Sequence, residues 1–557
     1  MPKFQIDGKE FEFKNGQTVL EVALENGIDI PHFCYHPLLS ISGNCRMCLV
    51  EIEKMPKLMI SCSTLAAEGM VVHTQSERAI NARKAVMEFF LINHPLDCPI
   101  CDEAGECKLQ DYTYQHSIGE SRFTETKNLK EKRVPLGPYV MFDGDRCIAC
   151  SRCIRFCDEI AKSSQLTFVK RGDRVTIETF PGMQLDNSYS LNVTDICPVG
   201  ALTNRDFRFK ARVWDMSATK SVCIGCSRGC NIEVWVRSNE IMRLTPRFNP
   251  DVNQYWMCDE GRLKTWKHVN SDTRINGPQL RKNGTLAEVG WDEAYAFAIS
   301  ELKNFNKDEI GIILSSSASM EDNYMGIKFG KSVLGAKYFG YKSKVLKGSG
   351  DDILITDDKA PNTFGLELLL KSFSVRIENS FEQVMSLINE GKIKALLVIE
   401  DDILSGSEEL NKTLDRLDLL IVTASNMNKT AEKAHIIFAA STYAEKNGTF
   451  VNVSGRIQRT KPAVVTSERE RSLDGFEMSR LDKFGTEWDK WGKVNKIEAR
   501  ASWKILNGLG VVMGQKLKYN MAEEVFVDLS KTIDKLSGLD YRAIGETGVQ
   551  LKLTNTN

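Results

Sequence analysis

No cysteine occurs after Cys258, although the chain has 557 residues and 16 cysteines. The second half therefore offers no thiolate for a metal site or a disulfide. The sequence also has no run of 18 apolar residues, so we expect no transmembrane helix. Residues 1–7 show neither an apolar signal core nor a twin arginine. We therefore expect a reducing compartment, in which the cysteines bind metal rather than form disulfides.

The net charge is close to zero, and common catalytic motifs are absent from the sequence. The net charge of −1 argues against binding to nucleic acid or to an anionic membrane. The sequence contains no P-loop, no G-x-S-x-G and no H-E-x-x-H motif. No G-x-G-x-x-G motif opens a βα unit, so no NADH site is expected in this chain. We therefore predict no catalytic residue and no substrate-converting active site here.

The first cysteine group follows a predicted β-hairpin, with its turn at Asp7-Gly8, and a predicted helix over residues 18–25. Its spacing is C-x10-C-x2-C-x13-C, and the ligands predicted for a [2Fe–2S] cluster are Cys34, Cys45, Cys48 and Cys62. Plant-type ferredoxins have four residues between the first two cysteines. The order of hairpin, helix and cysteines resembles instead the [2Fe–2S] domain of the respiratory complex I G subunits. A zinc site with four cysteines remains the alternative.

The second group has the motif H-x3-C-x2-C-x5-C at the end of a predicted helix, which the spacing of Thr74 and Glu77 predicts to begin with a capping box. The predicted [4Fe–4S] ligands are His94, Cys98, Cys101 and Cys107. His94 is included because three cysteines leave one coordination position open. A neutral imidazole in place of a thiolate raises the potential of a cluster. The other histidines of this region are predicted bystanders: His32, His36, His73 and His116. The motif resembles the module shared by complex I, iron-only hydrogenases and NAD-linked formate dehydrogenases.

The third group begins as a bacterial ferredoxin motif, C-x2-C-x2-C-x3-C. In a two-cluster ferredoxin the fourth cysteine of this motif binds the other cluster, but no cysteine lies between Cys157 and Cys197. The predicted [4Fe–4S] ligands are therefore Cys147, Cys150, Cys153 and Cys197. Cys157 is predicted to be a buried structural thiol. Complex I G subunits resemble this pattern of a degenerate ferredoxin with one cluster.

The fourth group, C-x2-C-x3-C-x27-C, predicts [4Fe–4S] ligands Cys223, Cys226, Cys230 and Cys258. An alternating segment over residues 231–236 predicts a strand beside it. The spacing resembles the N-terminal cluster of the molybdopterin oxidoreductase family. Enzymes of that family often have a lysine or arginine where this chain has Glu260, which argues against electron flow to a pterin. Zinc is a stronger alternative for this less specific motif.

The cysteine-free half alternates continuous apolar strands, at 309–314, 394–399 and 418–422, with helical stretches. This pattern predicts a parallel α/β sheet. From about residue 216 to 515 the sequence resembles the molybdopterin oxidoreductase family, most closely over residues 430–458. Enzymes of the family take a Cys, selenocysteine, Ser or Asp ligand for molybdenum from a long middle segment. This chain has no cysteine after Cys258 and only about 40 residues between Gly340 and the unit at Phe381, too few for that segment. It also has a polar end at 553–557 before the family's β-barrel would begin. We therefore expect no molybdenum or pterin.

The resemblance to bacterial NADH:quinone oxidoreductase G subunits, in a shortened form, implies a multidomain α+β and α/β protein. The implied domains are a β-grasp [2Fe–2S] domain (1–78), a helical module with one histidine and three cysteines (79–118), a degenerate ferredoxin-like domain (138–212), a molybdopterin-oxidoreductase-type [4Fe–4S] domain (216–272) and a catalytically inactive α/β region (273–557). It also implies one [2Fe–2S] and three [4Fe–4S] clusters.

The same resemblance implies one-electron transfer from an NADH-oxidising flavin subunit toward quinone-side iron–sulfur subunits. It implies a peripheral location on the cytoplasmic side of the inner membrane, with membrane association only through partner subunits. Alternatives are an electron-transfer subunit of a soluble NAD-linked formate dehydrogenase or hydrogenase complex, and a non-redox assembly scaffold with structural zinc. The missing molybdenum ligand argues against a catalytic formate dehydrogenase subunit. An iron-only hydrogenase would need differently spaced cysteines.

Overall fold

The structure is a computed structural model that describes residues 1–468, 496–515, 517 and 519–552. The predicted polar stretch at 553–557 lies outside these residues. The chain divides into two compact units, Met1–Trp214 and Asp215–Asn557, here called the first and second unit. Within the described residues, no helix combines the length and apolarity needed to cross a membrane.

The first unit opens with a five-stranded sheet of order β2-β1-β5-β3-β4. Its strands are β1 (Lys3–Ile6), β2 (Lys9–Glu12), β3 (Leu49–Ile52), β4 (Met59–Ile60) and β5 (Val71–His73). The predicted hairpin is confirmed: β1 and β2 are antiparallel, and Asp7 and Gly8 both have positive φ, which a tight two-residue turn requires.

Helix α1 (Val19–Glu25) packs its apolar face on this sheet, and Val19, Leu20 and Val22 are buried. The predicted helix is confirmed. It begins at a capping box in which the Thr18 side chain accepts from the Glu21 amide and the Glu21 carboxylate accepts from the Thr18 amide. This capping satisfies amide groups that the first helical turn leaves unpaired.

The predicted helix start at Thr74 is wrong. Helix α2 (Glu77–Ile92) begins after Ser76, whose hydroxyl accepts from the Ala79 amide. The amide and hydroxyl of Thr74 instead bond to the Asp7 carboxylate at the end of the hairpin. The tertiary contact with Asp7 therefore takes the group that the capping-box spacing assigned to the helix.

The rest of the first unit consists of short helices and strands. The helices are α3 (Lys108–His116), α4 (Arg152–Arg155) and α5 (Asn192–Ile196). The strands form a three-stranded and a two-stranded sheet: β6 (Val134–Pro135), β7 (Val140–Phe142), β8 (Leu166–Val169), β9 (Thr176–Thr179) and β10 (Leu202–Asn204). Single turns of 3₁₀ helix lie at Cys98–Ile100, Gly144–Arg146, Gly172–Arg174 and Val213–Asp215, and a π-helix at Phe156–Ile160.

The second unit begins with an antiparallel sheet of β11 (Ser217–Val222), β12 (Asn231–Arg237) and β13 (Glu240–Pro246), followed by α6 (Asp259–Lys264). Strand β12 confirms the predicted alternating strand at this position. The residues that face one side, including Ile232, Val234 and Val236, are buried, as the period of two predicts.

The main sheet of the second unit has seven strands in the order β15-β14-β20-β19-β18-β16-β17. They are β14 (Gln279–Lys282), β15 (Thr285–Glu288), β16 (Ile310–Leu314), β17 (Tyr338–Tyr341), β18 (Ala395–Ile399), β19 (Leu419–Ala424) and β20 (Ile436–Ala439). Strands β16 to β20 pair in parallel, as the buried apolar segments predicted. The sequence did not predict the antiparallel edge of β14 and β15.

Helices cover this sheet and a smaller sheet completes the unit. The helices are α7 (Trp291–Leu302), α8 (Met320–Lys328), α9 (Thr363–Ser372), α10 (Ser380–Asn389), α11 (Glu409–Leu414), α12 (Lys429–Lys433), α13 (Ser502–Val512), α14 (Ala522–Thr532) and α15 (Tyr541–Ile544). The small sheet contains β21 (Gly448–Val451), β22 (Arg456–Thr460) and β23 (Val549–Gln550). Short 3₁₀ turns lie at Lys307–Glu309 and Asp534–Leu536, and a π-helix at Phe329–Leu334.

Candidate metal centres

Three cysteines of the first group come from the segment between α1 and β3, and the fourth follows β4. Its four thiols are buried: Cys34, Cys45, Cys48 and Cys62. Hydrogen bonds from the Cys45 and Cys62 thiols, and from backbone amides, lower the pKa of Cys34. The Cys48 thiol likewise bonds to Cys62, which lowers the Cys48 pKa to about 7. Mutual contact among four buried thiols, with amides directed at sulfur, fits a thiolate-bound cluster.

The second group lines one cavity: His94, Cys98, Cys101 and Cys107, with Asp97, Ala104, Gln110, Arg146 and Gly200. Burial lowers the pKa of His94 to about 4, so the imidazole is neutral near pH 7 and has a lone pair for metal. Burial raises the pKa of Cys107 to about 12. The thiol is therefore protonated until a metal displaces its proton.

Gly200 gives this cavity its space. A Cβ atom at that position would lie 2.2 Å from the Cys101 Sγ and 3.0 Å from the Cβ of Glu103. No larger residue fits here without displacing a predicted ligand. The backbone therefore approaches the sulfur closely, as expected beside a cluster.

The third group surrounds the short helix α4. Cys153 is buried and interacts electrostatically with Cys150, Cys147 and Cys197, the other predicted ligands. The amide of Ala149 donates to the Cys147 Sγ at 3.4 Å. Ala149 and Ser151 both have positive φ, so the loop winds tightly and turns its amides inward. Burial raises the pKa of Cys147 to about 11.

Cys157 lies in the π-helix Phe156–Ile160 and is completely buried. Burial raises the pKa of its thiol to about 12. The predicted ligands Cys107 and Cys153 share this burial and raised pKa, so the role of Cys157 as a structural thiol stays a prediction.

The fourth group also lines a single cavity, formed by the loop between β11 and β12 and by the start of α6: Cys223, Cys226, Cys230 and Cys258. The amides of Gly225 and Gly261 donate to the Sγ atoms of Cys223 and Cys258, at 3.5 and 3.3 Å. A Cβ at Gly261 would lie 3.1 and 3.2 Å from these two sulfurs. The cavity therefore has the close backbone and the donor groups that suit a cluster.

Three basic residues at these sites were missed by the sequence reasoning. Arg146 and Arg152 directly precede Cys147 and Cys153, a signal that the sequence does carry. Lys359 lines the cavity of the fourth group together with Glu260. It reaches that cavity from a segment far along the chain, so local spacing around Cys258 could not have revealed it.

The histidines predicted as bystanders have other neighbours. His32 bonds to the Ile30 carbonyl, His36 accepts from the Leu38 amide, and His73 pairs with Glu53. His116 packs against Tyr112.

In the described part of the chain, no group of three or more His, Cys, Asp or Glu side chains has the arrangement needed to hold a single metal ion. A cluster is held differently, because at most two of its four protein ligands bind the same iron atom.

At the carboxyl ends of β16, β18 and β19 the second unit has a polar cavity of about 160 Å³, at the edge where α/β sheets bind ligands. Cofactor pockets usually have roughly 300–1,000 Å³. The neighbouring Lys446 is buried and paired with Asp322 at 2.7 Å and Glu400 at 2.5 Å. This cavity is smaller than that range, and the buried Lys446 beside it is already paired with carboxylates of the chain.

Five family models match separate parts of the chain. Residues 2–77 match a 2Fe-2S iron-sulfur cluster binding domain, and residues 83–122 the NADH-ubiquinone oxidoreductase-G iron-sulfur binding region. Residues 137–203 match the ferredoxin-like domain of NADH-quinone oxidoreductase subunit 3. Residues 216–265 match a NuoG-like 4Fe-4S domain and residues 367–473 molybdopterin oxidoreductase. These matches define a multidomain iron–sulfur protein with a molybdopterin-oxidoreductase-like region.

Curated relatives specify the class further. The G subunit of NADH-quinone oxidoreductase from Rickettsia conorii is 42% identical over 326 residues, 58% of this chain and 48% of that protein. The NADH-ubiquinone oxidoreductase 75 kDa subunit of Reclinomonas americana is 41% identical over 310 residues, 55% of this chain and 44% of that protein. The chain is therefore similar to NADH-quinone oxidoreductase G subunits over rather more than half of its own length. The matched stretch spans about half the length of these relatives.

Among solved structures, a chain of an NAD+-reducing [NiFe]-hydrogenase matches 38% of this chain and 91% of its own length. The identity is 30% and the TM-score is 0.35. The resemblance to complex I G subunits and the mixed α/β multidomain fold are confirmed by the family models and curated relatives. The family models and curated relatives do not favour the alternatives of a formate dehydrogenase or hydrogenase subunit, or of a zinc scaffold. The five-domain division stays a prediction.

Proposed function

We propose that the chain is an electron-transfer subunit of an NADH–quinone oxidoreductase. It would hold one [2Fe–2S] and three [4Fe–4S] clusters on the four groups of ligands described above, and no molybdenum or pterin. The clusters, when bound, would relay single electrons from a flavin subunit through the first, third and second groups toward quinone-side subunits. The chain's own residues would hold the clusters, space them and exclude water.

The observation that carries this proposal is the close contact of three ligand loops within the first unit. The Arg155 Nη2 donates to the carbonyls of both Cys34, at 2.5 Å, and Cys150, at 3.4 Å. The Asn44 side chain donates to the Ala149 carbonyl at 3.0 Å. The loops of the first and third groups are therefore hydrogen-bonded to each other, which supports a short distance between clusters bound at these two groups.

A second set of contacts joins the third cysteine group to the second. The carbonyl of Pro198, which follows Cys197, accepts from the Lys108 amide at 3.1 Å and lies 3.9 Å from the Cys107 Sγ. Gly200 then approaches Cys101. The third group therefore borders both the first and the second, which supports the proposed order.

The partners would be the flavin subunit that binds NADH and the quinone-side iron–sulfur subunits of the same complex. The chain would lie peripherally on the cytoplasmic side of the inner membrane through these partners. The fourth group would lie off the electron route, on a molybdopterin-like region that acts as a scaffold.

Anaerobic purification with iron, sulfide and zinc analysis, followed by a reductive EPR titration, tests this proposal. The expected result is one [2Fe–2S] and three [4Fe–4S] signals, without zinc. Fewer than three clusters would overturn the electron-transfer role. Affinity purification of the complex, with identification of its subunits, tests the proposed partners. A formate dehydrogenase or [NiFe]-hydrogenase catalytic subunit among them would contradict the assignment.

A further inference from the structure

We propose that Arg152 is a positioning residue whose single charge is shared by the first and third cysteine groups and sets the reduction potentials of both clusters. The inference rests on the proposed function, because it concerns clusters bound at those groups. It goes further, because it assigns to one arginine an effect on the reduction potentials of two successive electron carriers.

The guanidinium is fixed between the two ligand loops. Its Nη1 donates to the Ile196 carbonyl at 3.1 Å, and its Nη2 donates to the Tyr35 carbonyl. Ile196 directly precedes Cys197, and Tyr35 directly follows Cys34. One planar group therefore bonds to the residue beside a predicted ligand of each group, a geometry that the rigid fork of arginine allows.

The charge lies among the sulfurs themselves. Arg152 interacts electrostatically with four predicted ligands, two from each group: Cys150, Cys197, Cys34 and Cys45. Its Nε is shielded from solvent and has no hydrogen-bond partner within the described residues. A buried donor without a partner is costly, and the charged groups with the largest electrostatic effect on Arg152 are cysteines of the first and third groups.

The physical consequence follows from the sign of the charge. Each cluster gains one negative charge when it accepts an electron, and a nearby cation stabilises that reduced form more than the oxidised form. The effect is larger away from bulk water, where Coulomb interactions are less screened. A fixed guanidinium, which stays protonated at every accessible pH, therefore raises the potential of both clusters together.

Arg146 provides a matched comparison on the other side of the third group. It lines the cavity of His94 and the second-group cysteines and interacts electrostatically with Cys101. Its Nη2 donates to Asp97 at 3.0 Å. The contacts of Arg146 are with the second group, whereas those of Arg152 are with the first and third.

The test uses the full chain, purified anaerobically, with Arg152→Gln, Arg152→Lys and Arg146→Gln variants. Iron content is measured first, and then the midpoint potential of each cluster by EPR-monitored titration. Arg152→Gln is expected to shift the first and third clusters to more negative potentials and to leave the His94 cluster unchanged. Arg152→Lys should retain most of the wild-type potential, and Arg146→Gln should shift the His94 cluster but not the [2Fe–2S] cluster.

Each other result has a defined meaning. Unchanged potentials of the first and third clusters in Arg152→Gln, with full iron content, would overturn the inference. If Arg152→Gln loses iron, Arg152→Lys decides: normal clusters with near-normal potentials support the role of charge, whereas loss of the same clusters assigns Arg152 a purely structural role. Absence of clusters from the wild-type chain would instead overturn the proposed function.

Discussion

Replacing Gly200 by alanine is the sharpest perturbation of the His94 cavity that the structure offers. The change adds one methyl group, without charge or a hydrogen-bonding atom. The added Cβ would lie 2.2 Å from the Cys101 Sγ, so its effect falls on one predicted ligand. Gly200 has no positive φ, so alanine introduces no backbone strain of its own.

The size of the effect follows from this distance. Ordinary contact begins near 3.4 Å, so the sulfur or the loop must move by more than ~1 Å to accommodate the methyl group. Metal–ligand distances tolerate only about 0.2 Å, and overpacking of this kind costs about 1–3 kcal/mol. Cys101 could not keep its place in a four-ligand set after such a shift. We expect loss of the cluster of His94, about four iron atoms per chain.

The assay is iron and sulfide quantification on anaerobically purified chain, with EPR spectra of the reduced protein. Gly290→Ala is the matched control, because a Cβ there meets no atom within 4 Å and the backbone φ is −71°. The control should retain full iron and all signals. A Gly200→Ala variant with an unaltered His94 cluster would refute Cys101 as a ligand in this geometry.

Three further predictions concern other buried groups. Cys157→Ala should leave the iron content unchanged, whereas Cys153→Ala should lose the third cluster, and equal iron loss in both would contradict the assignment of Cys157 as a structural thiol. Lys446→Met should lower the free energy of unfolding by about 3–5 kcal/mol, because it leaves two buried carboxylates without their cation. The control Lys264→Met, at an exposed ion pair, should lower it by at most about 0.5 kcal/mol. Denaturant unfolding measures both variants. Burial raises the pKa of Glu321 from 4.5 to about 7, so its stabilising contribution is fully present below about pH 4.5 and lost as the pH rises through 7. The second unit should therefore lose about 3 kcal/mol of unfolding free energy between these limits, and Glu321→Gln should flatten that profile; an equal pH dependence in the variant would contradict this origin.

Local signals account for the parts of the fold that the sequence predicted. The Asp7-Gly8 turn, the capping box at Thr18 and the buried strand β16 (Ile310–Leu314) each depend on residues that are close in sequence. The chemistry of turns, caps and apolar runs is therefore sufficient there. The grouping of cysteines was predictable for the same reason, because most ligands of each group come from one short loop.

The features that the sequence did not predict depend on distant partners. Thr74 has the spacing of a helix cap, but Asp7 takes its hydrogen bonds. Lys359 reaches the fourth cavity from another segment. The carbonyl partners of Arg152, at Tyr35 and Ile196, come from segments on both sides of it in the sequence. Such contacts follow from tertiary packing, which no local spacing encodes.

The second unit pairs its buried charges with one another at the edge of its main sheet. Charges buried in a protein interior need partners, or they destabilise the fold. In the described residues of this sheet edge, Lys446 pairs with Asp322 and Glu400. The nearby Arg274 pairs with Glu445 at 2.8 Å. Each of the two buried cations therefore has at least one carboxylate of this chain as its counterion. We infer that this internal pairing allows the region to serve as a scaffold beside the fourth cysteine group.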